Sequence, residues 1–462
     1  MNFAFAWRLA GVLAPTEPSA KIRLFDSRNF IPRARVFMET AFTIIIFLVL
    51  AQSFAALFAV IRLTRYVWRS LSQPGERYVP KTALIVPCKG IDPDFDENII
   101  GYLAQDYRHY ELIFVTESEA DPAYQAIRRI LEESTRSAWL VTAGEATNRG
   151  QKVHNLCAAL DMLDSVDRKT EVLVFADSDA RPDAYWLRDL VAPLSDPKVG
   201  ATTGFRWYLP QGGLASQLLS VWNSGALSLL GENSSFAWGG STAINRDTFE
   251  ALKIKQHWES GAVSDDYVLT KRIQAEGLKI KFVPQCLMAS EGHVNFRQLI
   301  EFTTRQMIIT RVYAPQVWTV AAVVHTLFNF SFWGGLLFCA FGKDSLGVLL
   351  PMLVLTCGLG SLTGMLRAYL ASRLLPEAYQ DQFKSSRWAS ALLNPLVSLI
   401  YLYNLVASLS TRKILWRGIG YELITAKDTV IWQRPEAVYA NGKPEKQATP
   451  SGATARSRSL DS

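Results

Sequence analysis

The sequence is poor in the residues that mark several common kinds of protein. Its 462 residues include only five cysteines and five histidines. The cysteines are odd in number and widely spaced, and two of them, Cys339 and Cys357, fall in apolar segments. The sequence therefore predicts neither a disulfide framework nor a zinc site, and a reduced compartment fits this cysteine usage.

Two phosphate-binding signatures are also missing. No G-x-G-x-x-G follows the first predicted strand, and there is no Walker lysine loop, which counts against a dinucleotide enzyme and against a P-loop ATPase. The net charge of +6 is modest and lacks a basic-aromatic repeat. Nucleic-acid binding therefore has little support, and an anionic lipid surface is the better partner.

Long uncharged runs are what the sequence has in excess. Hydrophobic residues make up 49% of it, more than a soluble enzyme of this length usually carries. The run 40–61 contains no charged residue, is long enough to cross a bilayer, and ends in arginines instead of a signal-peptide cleavage site. The sequence thus predicts a membrane anchor, and three further apolar segments near the C-terminus are 317–341, 345–366 and 389–409.

These runs predict a division of the chain into six parts. They are an N-terminal segment (1–36), the anchor (37–62), an α/β domain (80–315), a membrane bundle (316–411), a basic and aromatic segment (412–440) and a disordered tail (441–462). Basic residues after the second bundle segment place the α/β domain in the cytoplasm. The third bundle segment is broken by Asn394-Pro395. It either spans the membrane against the charge rule, or is re-entrant or interfacial.

Strands alternate with helices in the region between the anchor and the bundle. Apolar strand patterns occur at 81–90, 110–115, 138–142 and 172–176, and helical patterns begin near residues 96, 121 and 151. This alternation predicts a mostly parallel sheet in a doubly wound α/β domain. The segment 214–230, apolar but dotted with polar residues, is expected to be either an interfacial helix or a core helix.

The fourth strand runs directly into Asp177-Ser178-Asp179. Open α/β sheets bind ligands at the carboxyl ends of their strands. Two carboxylates so spaced can hold a hard divalent cation, which in turn can bridge a diphosphate. Solvated loop acids are common after strands, however, so the motif becomes informative only in combination with others.

Other polar residues fall at predicted element ends. Lys152, near a helix start, could bind a diphosphate or be a solvated lysine. Ser264-Asp265-Asp266 opens an amphipathic helix; N-capping accounts for one acid, and a general base is an alternative for the other. The arginines of the helix before the bundle could meet lipid headgroups or stabilise a leaving diphosphate.

Taken together and in order, these motifs resemble those of one enzyme family. They are Pro87-Cys-Lys-Gly90, Val115-Thr-Glu117 with Asp121, Lys152 with Asn155, Asp177-Ser-Asp179, Gly240-Ser241, Ser264-Asp-Asp-Tyr267, and Trp416-Arg-Gly-Ile-Gly-Tyr421. The pattern resembles the ceramide glucosyltransferase family, a membrane-embedded branch of the GT-A glycosyltransferases with bacterial members that look like hopanoid-associated enzymes. It covers about residues 80–425.

The resemblance implies an α/β GT-A-like cytosolic domain plus α-helical transmembrane segments, in an integral protein of a bacterial inner membrane. It implies that Glu117 and Asp177 contact the uridine nucleotide, that Asp179 with Asp177 holds Mg²⁺ or Mn²⁺, and that Asp266 is the catalytic base. Lys152 is expected on the nucleotide-sugar side. Gly240, Ser241 and Asp265 are expected on the acceptor side.

Two departures from the family pattern are visible. Glu117 stands where the family usually has Asp, and the Q/R-x-x-R-W pentapeptide before the membrane is absent, because the stretch reads Arg305-Gln-Met-Ile-Ile-Thr-Arg311. Arg305, Gln306 and Arg311 are the expected substitutes toward the donor diphosphate. Because processive polysaccharide synthases usually keep the pentapeptide, its loss favours transfer of a single sugar.

The predicted reaction is inverting transfer of one hexose, glucose above others, from a UDP-sugar to a hydroxyl of a membrane lipid such as ceramide. Two enzymatic alternatives are transfer to polyprenyl phosphate and polysaccharide synthesis. The non-enzymatic alternative is a membrane scaffold or transporter with a vestigial nucleotide fold.

Overall fold

The computed structural model describes residues 27–72, 78–166, 169–232, 235–341 and 346–434. The chain divides into two compact units, 1–45 and 46–462. A long helix, α1 (Ser27–Ser72), includes the predicted anchor. The predicted tail 441–462 and residues 1–26 of the predicted N-terminal segment lie outside the described residues.

A seven-stranded mixed sheet organises the α/β domain, in the order β3-β2-β1-β4-β6-β5-β7. Its strands are β1 (Thr82–Pro87), β2 (Tyr110–Thr116), β3 (Trp139–Thr142), β4 (Val172–Ala176), β5 (Val199–Pro210), β6 (Ser241–Asn245) and β7 (Lys279–Gly292). Strands β1 to β4 pair in parallel, with Thr82 opposite both Tyr110 and Val172. The predicted α/β alternation is confirmed in this half of the sheet.

Helices cover both faces of the sheet, which is why β1 is buried along its whole length. One face packs α2 (Phe95–Leu103), α3 (Pro122–Glu133) and α5 (Trp186–Val191). The other packs α4 (Gln151–Val166), α8 (Ile254–Glu259) and α9 (Asp265–Ala275), with the short α7 (Arg246–Ala251) preceding α8. The apolar side chains of β1 alternate between the two cores, as the pleat requires.

The second half of the sheet departs from a purely parallel arrangement. Strand β6 runs antiparallel to both β4 and β5, and the long β5 pairs in parallel with β7. Helix α6 (Leu214–Leu227) is mostly buried and packs beside β5, as the core-helix alternative predicted. Its hydroxyl and amide side chains bond to strand backbone: Ser220 donates to the Tyr208 carbonyl at 2.7 Å, and Asn223 to that of Arg206 at 2.8 Å.

Three described helices are long and apolar enough to cross a membrane: 42–72 within α1, 315–337 and 349–374. The last two belong to α11 (Pro315–Phe341) and α12 (Leu346–Leu374). The segment broken by Asn394-Pro395 forms α13 (Gln380–Leu392) and α14 (Asn394–Ser410), bent by 70°. The bend fits either a broken span or a re-entrant loop, so both predicted alternatives stay open.

The predicted basic and aromatic segment forms a small antiparallel sheet of β8 (Lys413–Trp416), β9 (Ile419–Thr425) and β10 (Asp428–Gln433). Arg417 and Gly418 form the two-residue turn between β8 and β9, with φ of 51° and 79°. Positive φ at both positions is the geometry that matches the twist of a hairpin. We call β8 to β10 the C-terminal sheet.

Candidate active site

A cavity of about 350 Å³ lies at the carboxyl ends of β1 and β4. Its walls include the ends of β1 and β4, the starts of α4 and α9, part of β5, the loop before β6, one face of α10 (Phe296–Tyr313) and the C-terminal sheet. The polar residues lining it are Lys89, Gln151, Lys152, Asn155, Asp177, Ser178, Asp179, Arg206, Tyr208, Ser264, Asp265, Asp266, Tyr267, Arg305, Gln306, Arg417 and Tyr421.

The two aspartates after β4 are held by bonds to the backbone of their loop. The Tyr102 hydroxyl donates to the Asp177 carbonyl at 2.7 Å, and the Ser290 hydroxyl donates to the Asp179 carbonyl at 3.2 Å. Asn98 donates to the carbonyl of Ser178 between them. The carboxylates are therefore positioned by the surrounding core and not by a mobile loop alone.

Lys152 joins the two acidic motifs. Its ammonium lies 2.7 Å from Asp177 Oδ1 and 3.2 Å from Asp265 Oδ2, and it donates to the Gly239 carbonyl at 3.2 Å. Burial opposes its charge, but the two carboxylates outweigh burial and raise the pKa of Lys152. It lines the cavity as expected, yet its charge is already matched by protein carboxylates.

Arg206 pairs with the second aspartate of the motif, its Nη1 lying 2.6 Å from Asp179 Oδ2. The guanidinium also packs over the rings of Tyr208 and Trp238, at 4.8 and 5.4 Å from their centroids. Burial acts to raise the pKa of Asp179, but Arg206 and then Arg417 overcome this and hold it below its ordinary value. Asp179 is thus kept ionised.

The start of α9 presents Asp266 to the cavity. Ser264 caps the helix, because its hydroxyl accepts from the Tyr267 amide at 3.2 Å. The prediction that one of the two acids is the N-cap residue is therefore wrong. Asp266 Oδ1 accepts from the same amide at 2.7 Å and from the Ser264 hydroxyl. Its Oδ2 has no hydrogen-bonding partner among the described residues and is available to a substrate proton.

Asp265 differs from its neighbour in environment. It is 4% exposed and faces Lys152. Burial raises its pKa to about 6; Lys152 opposes the shift, while Asp266 and Asp177 add to it. Asp265 lines the cavity, but its salt bridge gives it a structural role in holding the acidic wall together.

Two glycines are needed because side chains approach their backbone closely. A Cβ on Gly239 would lie 2.3 Å from Asp265 Oδ2, and one on Gly240 would lie 2.2 Å from the Trp238 ring. Ser241 is fully buried, and its hydroxyl accepts from the Trp186 indole at 3.0 Å. Gly240 and Ser241, predicted on the acceptor side, do not line the cavity.

Helix α10 forms the wall nearest the candidate membrane helices. Phe302, Arg305, Gln306 and Ile309 share the spacing of one helical face, and all four line the cavity. Arg305 Nη1 donates to the Leu415 carbonyl at 3.2 Å. Burial lowers its pKa to about 10.

Arg311, the third predicted substitute for the pentapeptide, points elsewhere. Its guanidinium donates to the Ser408 carbonyl on α14, and it does not line the cavity. This places it between α10 and α14, where it satisfies a carbonyl near a helix C-terminus. Of the three predicted substitutes, the structure brings only Arg305 and Gln306 to the cavity.

The C-terminal sheet closes the remaining side. Trp416, Arg417 and Tyr421 line the cavity. The Tyr421 hydroxyl accepts from the Gln151 amide at 3.2 Å, and Arg417 Nη2 lies 2.6 Å from Asp92 Oδ2. These contacts attach the sheet to the start of α4 and to the loop after β1.

Glu117 lies beside this cavity and not in its lining. Lys89 pairs with its Oε2, and Arg434 Nη1 donates to its Oε1 at 2.7 Å. Lys89 itself lines the cavity. Glu117, predicted to contact the nucleotide, is thus held by one protein cation on each carboxylate oxygen.

The donor set suits a hard divalent cation. Asp177 Oδ2 and Asp179 Oδ1 have no hydrogen-bonding partner among the described residues, and Asp179 Oδ1 is buried. No group of three or more His, Cys, Asp or Glu side chains in the described part of the chain is arranged to hold a metal. The protein would supply two carboxylates, so phosphate and water would have to complete the coordination shell.

Several residues near the cavity carry no local sequence pattern that predicts their place there. Arg206 and Tyr208 come from β5, and their arrangement depends on the pairing of β5 with β7, which no local pattern reveals. Arg417 and Tyr421 were visible only as part of the W-R-x-G-x-Y ending. Arg434 has no signal in the sequence, because its partner Glu117 lies 317 residues away.

Comparison with known proteins supplies the class of chemistry. The sequence model of glycosyl transferase family 21 matches residues 45–428, most of the chain. The chain belongs to this family. The resemblance to the ceramide glucosyltransferase family and the α/β GT-A-like fold class are thereby confirmed, and this family 21 chain is a glycosyltransferase. The scaffold or transporter alternative is not supported.

Two solved structures show distant likeness to this family 21 transferase. One is the mannosyltransferase PcManGT from Pyrobaculum calidifontis, in complex with GDP-Man and Mn²⁺, with 19% identity, a TM-score of 0.44, and coverage of 80% of this chain and 99% of that one. The other is glucosyl-3-phosphoglycerate synthase from Mycobacterium tuberculosis, in complex with Mn²⁺ and UDP-glucose, with 17% identity, a TM-score of 0.33, and coverage of 50% and 78%.

Proposed function

We propose that this protein transfers one hexose, glucose above others, from a UDP-sugar to a hydroxyl of a membrane lipid such as ceramide, with inversion at the anomeric carbon. We place the α/β domain in the cytoplasm, at the inner membrane of a bacterium. The basic residues at the end of α12 and in α13 (Arg367, Arg373, Lys384 and Arg387) support this orientation.

One observation carries the proposal: the wall of the cavity continues into a candidate membrane span. The face of α10 that bears Arg305 and Gln306 ends at Tyr313, and α11 begins at Pro315. Helix α10 also bonds to α14 through Thr304 and Asn404, at 2.9 Å. A cavity with one wall formed by a helix that leads directly into a candidate membrane span is suited to an acceptor that stays in the bilayer.

The reaction would be a single displacement. The acceptor oxygen attacks the anomeric carbon and forms the new C–O bond, while the bond from that carbon to the diphosphate oxygen breaks with its electron pair. Asp266 takes the hydroxyl proton through its free Oδ2. Arg305 stabilises the charge that develops on the departing diphosphate.

Asp177 and Asp179 would hold Mg²⁺ or Mn²⁺ through their two free oxygens. When bound, the cation supplies positive charge that offsets repulsion between the carboxylates and the donor diphosphate. Lys152 pairs with Asp177 and Arg206 pairs with Asp179, and these ion pairs hold the two carboxylates in position.

The test compares membranes that carry the wild-type chain with membranes that carry Asp266→Asn, supplied with radiolabelled UDP-glucose. Asparagine keeps the shape of the side chain but cannot accept the proton, so lipid labelling should fall about 10²- to 10⁴-fold. Labelling at the wild-type rate would show that the assigned mechanism is wrong. Donor binding should be unchanged, which separates a lost base from a collapsed site.

The runner-up function is transfer to polyprenyl phosphate, with polysaccharide synthesis as a further alternative. Extraction of the labelled product into organic solvent distinguishes all three. A polymer stays in water, a polyprenyl-phosphate sugar is extracted but released by mild acid, and a sugar on a lipid hydroxyl is extracted and resists that acid.

A further inference from the structure

The second helix of the membrane bundle carries an arginine that has no protein partner. Arg367 lies in α12, about two helical turns before the candidate span ends at Leu374. It makes no hydrogen bond and no ion pair with the described part of the chain, and its Nε is buried. Charged side chains are costly inside a span, where they usually pair with another group or mark a substrate path. Arg367 is therefore a candidate ligand-binding residue.

The end of α12 that holds Arg367 faces the α/β domain. Ala368, its neighbour in sequence, packs in one apolar cluster with Trp207 of β5. Beyond α12, Gln382 of α13 donates to Glu291 of β7 at 3.2 Å. Arg367 therefore lies on the domain side of the span, so a group that its guanidinium holds stays close to the catalytic half of the molecule.

A row of aromatic side chains leads from the neighbourhood of Arg367 to the cavity. Arg367 interacts electrostatically with the Tyr401 hydroxyl of α14. The ring of Tyr401 stacks on that of Trp222, with centroids 4.9 Å apart, and its hydroxyl donates to the Trp222 carbonyl at 3.1 Å. Trp222 packs edge-on against Phe302, a residue of the cavity lining, with centroids 6.2 Å apart. The row thus ends at the cavity wall.

A second hydrogen-bond donor in this row also lacks a partner. The indole Nε1 of Trp222 is buried, and no described residue accepts a hydrogen bond from it. A buried donor of this kind has lost its bonds to water without gaining one in the protein, which is unfavourable. Trp222 and Arg367 offer only donors, so a group that complements them must bring acceptor oxygens, such as those of a hydroxyl or a carbonyl.

The polar head of a lipid acceptor would lie between the cavity and the membrane helices. Its reacting hydroxyl must reach Asp266, while its chains stay in the bilayer. The row from Arg367 to Phe302 covers the same interval, because it begins at a membrane helix and ends at the cavity wall. The hydroxyl and carbonyl oxygens of such a head would supply both missing acceptors.

We propose that Arg367 and Trp222 bind the uncharged polar head of the acceptor lipid through its oxygens and so direct its reacting hydroxyl toward Asp266. The inference rests on the proposed function, which supplies a lipid acceptor. Neither residue lines the cavity itself. Acceptor affinity would then depend on α6 and α12, whereas donor affinity depends on the cavity.

The test compares kinetics of the full-length protein in detergent micelles, with labelled UDP-glucose as donor and short-chain ceramide or short-chain diacylglycerol as acceptor. Arg367→Met keeps an apolar side chain and removes a charge that has no counter-ion, so the variant should melt no lower than wild type. Its KM for the acceptor should rise about 10- to 100-fold, because a charge-assisted bond is lost. Its KM for UDP-glucose should stay within about threefold of wild type, since the donor does not contact Arg367.

A second variant and a control accompany it. Trp222→Phe keeps an aromatic ring against Tyr401 but lacks the indole N–H. Its acceptor KM should rise about threefold to tenfold, the size of one neutral hydrogen bond, with an unchanged melting temperature. Arg373→Met is the matched control, because Arg373 is an exposed arginine of the same helix. It should leave both KM values unchanged.

An unchanged acceptor KM in Arg367→Met would overturn the inference and leave the proposed function standing. Equal rises in the acceptor and donor KM, or the same rise in Arg373→Met, would also overturn it, since Arg367 would then act through the fold. If added phosphatidylglycerol raised the melting temperature of wild type but not of Arg367→Met, with the acceptor KM unchanged, the guanidinium would hold an anionic phospholipid instead. Failure of the wild type to glycosylate either lipid would refute the proposed acceptor and this inference together.

Discussion

The cavity has an acidic wall and a basic wall, and the two are built differently. The acidic wall, Asp177, Asp179, Asp265 and Asp266, sits at the end of β4 and the start of α9, and three of its four carboxylates contact a lysine or arginine of the same domain. The basic wall comes from α10 and the C-terminal sheet. Arg305 there has no carboxylate partner among the described residues.

This difference indicates which half of the site attracts an anionic ligand. The acidic wall is largely neutralised by protein groups, and its free oxygens are positioned by a rigid sheet. The basic wall carries charge that protein groups do not fully balance, on elements continuous with the candidate membrane helices. An anionic donor would therefore complete the basic wall, and its affinity would depend on elements outside the sheet.

The largest effect is expected from the acidic wall. Asp179→Ala should lower sugar transfer about 10³-fold or more, because it removes a proposed metal ligand. Asp161→Ala, on the exposed face of α4, is the control and should leave transfer unchanged. The readouts are transfer of labelled sugar and Mn²⁺ binding; normal Mn²⁺ binding by Asp179→Ala would contradict the proposed metal site.

Lys152→Ala should destabilise the fold. It leaves the buried Asp265 and the half-buried Asp177 without their cation, and an uncompensated buried charge typically costs about 3–5 kcal/mol of unfolding free energy. The comparison variant is Lys255→Ala, which breaks the exposed pair with Asp161 and should cost about 1 kcal/mol or less. Equal falls in melting temperature for the two variants would mean that Lys152 does not hold the acidic wall together.

Within the basic wall, Arg305→Gln and Arg311→Gln should separate function from structure. Arg305→Gln should reduce kcat/KM about 10- to 100-fold, because a contact to the diphosphate is lost, with little change in melting temperature. Arg311→Gln removes the bond to Ser408 and should lower the melting temperature more than it lowers kcat/KM. The reverse pattern would assign the diphosphate to Arg311.

The smallest effect is expected at the edge of the basic wall. Glu117→Asp restores the residue usual in the family but shortens the reach to Lys89 and Arg434. The KM for the donor should change about threefold, the size expected when partly exposed ion pairs weaken. Arg434→Gln is the companion variant and should have a similar effect. A loss of activity above about 100-fold in Glu117→Asp would place Glu117 in direct contact with the nucleotide.

The acidic wall was predictable because its signals are local. Strand β4 is an apolar run that ends in two acids, and α9 begins with a serine and two acids, so the pattern itself marks the strand end and the helix start. What local pattern could not supply was the partner of each acid. Lys152 bridges Asp177 and Asp265 only because the fold brings α4 between them.

The basic wall was much less predictable, for a physical reason. Its residues act through contacts across long sequence separations, such as Arg417 with Asp92 and Arg434 with Glu117. The helical spacing of Arg305 and Gln306 was readable, but the direction of Arg311 depends on the packing of α14. The sequence pattern also did not predict that β6 runs antiparallel to β4 and β5. A short apolar strand does not reveal its direction.

The measurement that tests the account most directly is mass spectrometry of lipids from cells that express the wild-type chain or the Asp266→Asn variant. The account predicts a new neutral glycolipid, one hexose on a lipid hydroxyl, in wild-type cells and its absence with the variant. A hexose found only on polyprenyl phosphate or in a polymer, or the same glycolipid in equal amount with both chains, would contradict it.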